Sequence, residues 1–427
     1  MSNFKIAVTT IFVICIIAGI AIFALSKSSS SAKQSNLVVW GTISTEAFNV
    51  TYKNSSLSQN KDVKISYIKK DPATFDADFV NALAEGLGPD IVILRDDLLY
   101  GERNKLFVIP YKSYTERIFK DRFIEEGELF LSPAGVVALP FVVDPLVMYW
   151  NRDMFSNSLI SQPPQYWDEF YSLIDKMTRK DNGGNVLQSA VSFGEWRNIT
   201  NAKEIVLMLL LQAGTPITSR TDHGVVSVLN SQFNYPMAPS QSAINFYTQF
   251  SNPTSPTYTW NRSLPTSLNL FLSGNLATYI GFASEIFSIQ QKNSNLNFDV
   301  TYVPQIRNTT KKEVFGRMYA LAIVKQSKQI GGAFLALSAL TEPKALKALE
   351  GVTNLPPVRR DLLADKPTDD YRIIFYNSAL LSHSWIDPNP TESGNTFRDM
   401  IESITSGRKR VSEALSQADQ ELTAQLK

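Results

Sequence analysis

The sequence predicts an α/β fold, because strand and helix patterns alternate along the globular part of the chain. Residues 37–41 form a short apolar run that ends in a glycine, and residues 63–68 alternate apolar and polar side chains. Residues 74–87 place apolar side chains at helical spacing, and Gly88 is expected to end that helix. Residues 89–94 are almost wholly apolar, which is typical of a parallel strand covered on both faces. This order predicts strand–helix–strand units with right-handed crossovers.

The second half of the chain continues this alternation of helices and strands. Its last helix carries apolar side chains along one face, which indicates that it packs on the globular part and is not a free tail. The predicted elements here are helices at 167–177, 203–213, 396–405 and 411–426, and strands at 298–303 and 318–324.

The composition is that of a globular protein with a packed core. Hydrophobic residues make up 44% of the 427 positions and charged residues 19%, which excludes a mainly disordered chain. The formal net charge is +1, so no overall basic field exists to hold nucleic acid or anionic lipid. The one cysteine, Cys15, excludes an intrachain disulfide and a thiolate metal cluster. We therefore expect no nucleic-acid partner, no metal and no cofactor.

The N-terminal segment has the length and composition of a membrane span. Residues 6–25 contain no charged side chain. A helix of that length spans roughly 30 Å, the thickness of the bilayer hydrocarbon. We predict that residues 1–25 form an uncleaved transmembrane anchor, with a cleaved signal segment as the alternative, and that Ser-rich residues 26–36 are a flexible tether. The rest would then lie on the extracytoplasmic face of the cell membrane, or be secreted if the segment is cleaved.

Six short phrases along the chain follow one another in a recognisable order. They are Trp40-Gly41, residues 88–92 (GPDIV) with the acidic pair Asp96-Asp97 after them, residues 139–155 (LPFVVDPLVMYWNRDMF), residues 163–170 (PPQYWDEF), residues 271–277 (FLSGNLA) and residues 406–408 (SGR). Together they resemble the extracellular solute-binding proteins of ABC importers, the family that includes maltose-binding protein. The resemblance runs from residue 37 to the C-terminus, and six phrases in register make it specific.

This resemblance implies a two-lobed, periplasmic-binding-protein-like fold in which each lobe is a sheet flanked by helices and is discontinuous in sequence. Lobe 1 would combine residues 37–141 with 299–341, and lobe 2 would combine residues 144–297 with 343–427. Small hinge rotations close such lobes on a ligand held in the cleft. The closed shape is itself the signal, so no bond has to be made or broken.

The function implied by the resemblance is that of the substrate-binding component of an ABC import system. The protein would capture an extracellular solute, with a sugar or oligosaccharide favoured, and deliver it to permease subunits that carry a cytoplasmic ATPase. Two other classes stay open at this point: an exported carbohydrate-degrading hydrolase, and a ligand-sensing subunit of a membrane signalling system.

Catalytic patterns give the hydrolase little support. The sequence has no GxSxG elbow, HExxH helix or Walker loop, and its only histidines are His223 and His383. A glycosidase needs only two carboxylates, so the forty Asp and Glu residues do not exclude one. We predict a binding protein and not an enzyme.

Aromatic side chains are the first candidates for ligand contacts. A sugar presents hydroxyls around its rim and an apolar C–H face, so its site needs aromatic plates beside carboxylates, amides or guanidinium groups. Trp40, Trp196 and Trp260 lie in predicted loops, where a tryptophan either lines a cleft or anchors local packing. Trp385 is a further candidate. No aromatic pair stands just before the penultimate helix, where the family has one.

Charged side chains complete the predicted site. Asp97 and Asp144 match positions where the family places acidic sugar-binding groups; their alternative roles are a helix cap for Asp97 and a hinge hydrogen bond for Asp144. Glu285 is a further candidate acceptor, and Arg317 is either a fork-shaped donor or a surface charge. The predicted ligand-binding residues are Trp40, Asp97, Asp144, Trp196, Trp260, Glu285, Arg317 and Trp385.

Overall fold

The computed structural model describes residues 35–427. The predicted membrane anchor, residues 1–25, and most of the predicted tether lie outside the described residues, so both stay predictions. Within residues 35–427, no helix combines the length and the apolar character needed to cross a membrane.

Most strands of the described chain belong to one large sheet. Numbered in chain order, the strands are β1 Ser35–Gly41, β2 Val63–Lys69, β3 Ile91–Arg95, β4 Ile109–Pro110, β5 Leu131–Ser132, β6 Gly135–Val136, β7 Ala138–Asn151, β8 Arg179–Lys180, β9 Val186–Val191, β10 Thr218–Thr221, β11 Gly224–Ser227, β12 Leu276–Phe282, β13 Phe298–Thr301, β14 Val314–Ile323 and β15 Ser382–His383. The large sheet has the order β2-β1-β3-β14-β7-β12-β9-β8, with β13 beside β7 and β15 beside β14.

Helices cover the faces of this sheet. In chain order they are α1 Thr45–Asn54, α2 Phe75–Ala84, α3 Leu99–Glu102, α4 Glu116–Arg122, α5 Arg152–Asn157, α6 Phe170–Met177, α7 Ala202–Gln212, α8 Pro239–Thr248, α9 Ser267–Leu272, α10 Ile286–Lys292, α11 Ile330–Leu340, α12 Pro343–Thr353, α13 Arg360–Leu363, α14 Asp370–Leu380, α15 Pro390–Thr405 and α16 Val411–Gln425.

The predicted α/β architecture is confirmed at its first units. Strand β1 pairs in parallel with both β2 and β3, as crossover connections require. Helix α2 ends earlier than predicted, because Gly86 adopts a left-handed φ of 72° and stops the helix before Gly88. Helix α15 starts earlier than predicted, because the Asn389 side chain accepts hydrogen bonds from the first turn and Pro390 follows it.

Two separate hydrophobic cores divide the described chain into two lobes. Strand β7 passes through both cores: residues 138–143 lie in the first and residues 146–149 in the second. Strand β14 runs the opposite way, with Val314 and Phe315 in the second core and residues 318–323 in the first. The molecule therefore has the predicted two-lobed organisation, with its lobes linked by a pair of continuous strands.

The two crossing strands, β7 and β14, pass from one lobe to the other at residues that lie opposite each other in the sheet. In their antiparallel register Gly316 lies opposite Pro145, and Arg317 lies opposite Asp144. Helix α14 is a third link, since it contributes Phe375 to the second core and its next residue, Tyr376, to the first. We call the region around these crossings the lobe junction.

Core membership differs from the predicted lobe boundaries in two places. Val300 and Val303 pack in the second core, because β13 pairs with the second-lobe end of β7. Leu346 and Leu349 pack in the first core, because α12 lies against α1. Core membership therefore favours assigning the segment around Val300 to lobe 2 and the segment around Leu346 to lobe 1. The exact residue boundaries of the lobes stay a prediction.

Candidate functional site

The lobe junction carries polar side chains on one face of the sheet. Residues directly opposite each other in a sheet share a face, and so do residues two apart along a strand. Asp144 is opposite Arg317, and Tyr319 is opposite Arg95. These four residues therefore form a polar row on one face, at the carboxyl end of β3, the end of an α/β sheet where ligands bind. Asp97 follows this strand end directly.

Two ion pairs hold the guanidinium groups of this row. Arg95 binds Asp97 through two contacts of 2.6 Å, from Nε to Oδ1 and from Nη2 to Oδ2. Arg317 Nη2 donates to Glu204 Oε1 at 2.8 Å, and its guanidinium lies over the Phe282 ring. Glu204 sits in the first turn of α7 in the second lobe. The two pairs hold both guanidinium groups in fixed orientations on this face of the sheet.

Two carboxyls at this row are buried: Asp144, which belongs to the row, and Asp96, which follows Arg95. Burial raises the pKa of Asp144 to about 6, although Ser284 donates its backbone N–H to Asp144 Oδ1 at 3.0 Å. Burial and the neighbouring Asp97 raise the pKa of Asp96 to about 7. Asp96 accepts from the backbone N–H of Met318 at 3.2 Å. Both carboxyls are thus anchored at the crossing strands and titrate near neutral pH.

Direct contacts also join the two sides of the junction. Ser384 donates its hydroxyl to Asp96 Oδ2. Tyr100 Oη donates to the carbonyl of Leu426, at the end of the last helix of the second lobe, at 2.7 Å. Arg220 Nη2 donates to the carbonyl of Leu129 in the first lobe at 2.6 Å. The lobes therefore touch at several places besides the crossing strands.

Trp40 and Trp385 approach the junction from opposite lobes. Trp40 lies near the carboxyl end of β1, is 8% exposed, and carries Lys70 Nζ 3.8 Å from its ring centroid. Trp385 follows Ser384, is 3% exposed, and packs edge-on against Phe397. Neither ring offers a broad open face in this conformation, so both are packed plates whose use by a ligand would require movement.

Trp260 lies inside the second core. Its side chain has no exposed surface, and its indole Nε1 donates to Asn198 Oδ1 at 3.1 Å. Both its hydrogen-bond partner and the core it packs in belong to its own lobe, which is the packing role weighed for it from the sequence.

Trp196 lies between two ion pairs on the second lobe. The residue is half-buried against the second core. Glu195 before it binds Arg262 at 2.8 Å, and Arg197 after it binds Glu402 at 2.6 Å. Its neighbours along the chain are thus already paired, which leaves the indole itself as the group available to a ligand.

Glu285 is close to Asp144, but its carboxylate already accepts hydrogen bonds from donors of its own lobe. Its carboxylate accepts from the backbone N–H of Phe282 at 2.8 Å, the hydroxyl of Tyr279 at 2.6 Å and the amide of Asn201 at 2.7 Å. Three donors on one carboxylate make it a local structural anchor.

The structure therefore brings together three of the predicted residues: Asp97, Asp144 and Arg317. It adds residues that the sequence analysis did not single out, namely Arg95, Asp96, Glu204, Tyr319 and Ser384. One signal was available for Tyr319, since it stands two positions after Arg317 in an otherwise apolar strand. No local pattern marked Glu204 or Ser384, because tertiary folding alone brings them to the crossing strands.

Two other kinds of binding feature, a metal site and a surface groove, do not add to the lobe junction. Across residues 35–427, no three His, Cys, Asp or Glu side chains are arranged to hold a metal ion. A groove of about 390 Å³ lies between α15 and α16 and is lined by polar side chains, among them Glu402 and Lys409. None of the eight predicted ligand-binding residues lines this groove.

The family of the chain follows from a comparison with family models. Residues 47–375 match the model described as bacterial extracellular solute-binding protein. This match covers well over half of the chain, so the protein belongs to that family. Its members bind solutes outside the cytoplasm, which confirms the prediction of a binding protein and not an enzyme.

Sequence relatives match a smaller region. Binding proteins of Brucella abortus (strain 2308) and Brucella suis biovar 1 (strain 1330) are each 25% identical to this chain over 158 residues. The match covers 36% of this chain and 38% of each relative, so it spans well under half of their length.

Solved structures share the whole fold at low identity. A cyclo/maltodextrin-binding protein complexed with maltotetraose has a TM-score of 0.73 and 17% identity, covering 93% of this chain and 99% of that one. A cyclic α-maltosyl-1,6-maltose-binding protein from Arthrobacter globiformis has a TM-score of 0.74 and 16% identity, covering 92% and 99%. An ABC transporter solute-binding protein from Thermotoga lettingae TMO, bound with α-D-tagatose, has a TM-score of 0.64 and 17% identity, covering 92% and 100%. These likenesses confirm the predicted two-lobed α/β fold.

Proposed function

We propose that this protein captures a neutral sugar or oligosaccharide at the lobe junction and delivers it to the permease of an ABC import system. The observation that carries the proposal is the polar row on the crossing strands, where Asp144 and Arg317 face each other between two independent cores. A ligand bound there touches the strands that connect the lobes. Ligand contacts in such a place can favour one relative orientation of the lobes over another.

The charges of the junction support a neutral, hydroxyl-rich ligand. Arg95 and Arg317 are each already paired with a carboxylate. A second anion would therefore gain little from them, whereas hydroxyls can both donate to carboxylates and accept from guanidinium groups. Two of the structural neighbours are named as maltodextrin- or maltosyl-maltose-binding proteins, which supports the same class of ligand here.

We further propose that residues 6–25 hold the protein at the outer face of the cell membrane. Their uncharged, apolar composition supports this, and it would keep the captured solute close to the permease. Expression of the full chain and of a chain lacking residues 1–34, followed by membrane fractionation, tests it. The proposal requires the full chain in the membrane fraction and the shortened chain outside it.

Calorimetric titration tests the ligand assignment. The panel contains maltotetraose, D-tagatose, an acidic sugar, an amino acid and a peptide. The proposal predicts saturable binding of at least one neutral sugar without formation of any product. Binding of only the amino acid or the peptide would contradict it, and so would sustained conversion of the sugar.

A further inference from the structure

A buried carboxyl without a partner lies in the first lobe next to the crossing strands. Glu126 belongs to the short 3₁₀ helix Glu125–Phe130 and is 2% exposed. Neither of its carboxyl oxygens has a hydrogen-bond partner within residues 35–427. A charged carboxylate in such a place would lose its hydration without any compensation, so the neutral acid is strongly favoured.

This carboxyl touches the connections between the lobes. A Cβ atom placed on Gly316 of β14 would lie 2.5 Å from Glu126 Oε2 and 2.7 Å from Ser382 Oγ. Gly316 in turn pairs with Pro145 of β7. Glu126 therefore packs where β7, β14 and the segment that starts at Ser382 pass one another, and the missing side chain at Gly316 gives it the space.

Negative groups surround Glu126 in this position. Burial raises the pKa of Glu126 well above the usual range, and the carboxylates of Asp96, after β3, and Asp144, on β7, raise it further. Arg317 on β14 is engaged by Glu204.

The remaining ionisable neighbours lie on β15, on the same 3₁₀ helix and at the end of α4. His383 Nε2 on β15 is 3.4 Å from Glu125 Oε1, and Glu128 binds Lys120 at the surface. No cation among the residues of the described chain forms an ion pair with Glu126 itself.

We propose that Glu126 is a proton-controlled latch of the lobe junction. As a neutral acid it lets β7, β14 and the segment that starts at Ser382 pack closely. Its ionisation places a third negative charge beside Asp96 and Asp144 and loosens the packing of these three segments. Lobe motion would then respond to the pH outside the cytoplasm. The proposal goes beyond ligand capture and does not depend on which ligand the protein takes, because each measurement is made without ligand.

The first experiment asks whether Glu126 is protonated. Infrared spectra of the purified full chain are recorded at pH 6, beside spectra of the Glu126→Gln variant. The proposal predicts a protonated-carboxyl band in the wild type that is weaker by one group in E126Q. Identical bands in the two proteins would overturn it.

The second experiment asks whether the proton on Glu126 controls the opening of the lobe junction. Hydrogen exchange of the β14 amides is followed from pH 6 to 9, corrected for the intrinsic pH dependence of exchange. If Glu126 holds a proton in the packed junction and releases it when the junction opens, the protection of the β14 amides from exchange changes by about tenfold per pH unit. The wild type should lose protection progressively as the pH rises towards the raised pKa of packed Glu126, and the loss should level off above that pKa. E126Q should lack the pH dependence of protection that arises from this one proton. Equal pH slopes in the two proteins would overturn the proposal.

Two further variants separate the latch from a general effect of mutation. Glu128→Gln changes an exposed carboxylate of the same 3₁₀ helix and should behave as the wild type. Asp96→Asn keeps Glu126 but removes one of the charges that raise its pKa, so the Glu126 carboxyl band should disappear at lower pH than in the wild type. Should E126Q fail to fold, the absence of any shift in D96N would by itself overturn the proposal, and a shift would support it.

Discussion

The lobe junction and the core of the second lobe use the same residue types in opposite ways. In the second lobe, Trp260 is fully buried with its Nε1 bonded, and Glu285 accepts from three donors of its own lobe. At the junction, Asp144 accepts on one oxygen from the backbone of Ser284, and Arg317 binds Glu204, a carboxylate of the second lobe. A side chain whose bonds are all made locally stabilises its lobe, whereas one bonded between lobes responds to their movement.

The largest effect on stability is expected from a substitution of Trp260 in the second core. Replacing it by alanine should lower the free energy of unfolding by about 3–5 kcal/mol, because it leaves a large cavity in the second core. Urea unfolding followed by fluorescence measures the loss. Trp260→Phe is the matched control and should cost less. A small loss of stability combined with loss of sugar binding would instead place Trp260 at the ligand.

Asp144→Asn should affect binding more than stability. A hydrogen bond to a charged group contributes roughly 1.5–3 kcal/mol, so affinity for the sugar bound in calorimetry should fall about tenfold to a hundredfold. Stability at pH 8 should not fall, because the amide has no buried charge to desolvate.

Glu285→Gln is the contrasting variant for Asp144→Asn. It replaces an acceptor of three internal hydrogen bonds by a group that is itself partly a donor, so the unfolding midpoint should fall. If E285Q kept full stability and lost binding while D144N did the reverse, the assignment of the two carboxylates would be exchanged.

The Arg317–Glu204 ion pair should have an intermediate effect. Its two side chains are 25% and 19% exposed, so solvent screens the pair in part. A double-mutant cycle with Arg317→Met and Glu204→Gln should give a coupling energy of about 1 kcal/mol in unfolding. Additive effects of the two changes would show that the pair does not join the lobes energetically.

The smallest effect is expected at Lys70, whose ammonium lies over the Trp40 ring. Lys70→Met keeps the aliphatic stem and removes the charge, so stability should fall by no more than about 1 kcal/mol. Thermal unfolding measures this change. A loss several times larger would mean that Trp40 depends on Lys70 for its position at the strand end.

Local pattern was enough to predict the first strand–helix–strand units, because apolar periodicity and glycine stops act over a few residues. It was less exact at helix ends: Gly86, and not Gly88, adopts the left-handed conformation that ends α2. For the site, Asp97, Asp144 and Arg317 were predicted from motif matches and residue type. Glu204 and Ser384 were not, because their partners are 113 and 288 positions away in the chain.

The sequence by itself determined the α/β class, the two-lobed family and the exclusion of an intrachain disulfide, since these depend on composition, period and ordered phrases. Only the tertiary structure decided which carboxylates are occupied and which face the junction. Glu285 and Asp144 are both candidate acceptors in the sequence, Asp144 through its match to the family and Glu285 as a further candidate, and their hydrogen-bond donors come from different elements. The same holds for Glu126, whose burial against Gly316 arises from long-range packing that no local pattern encodes.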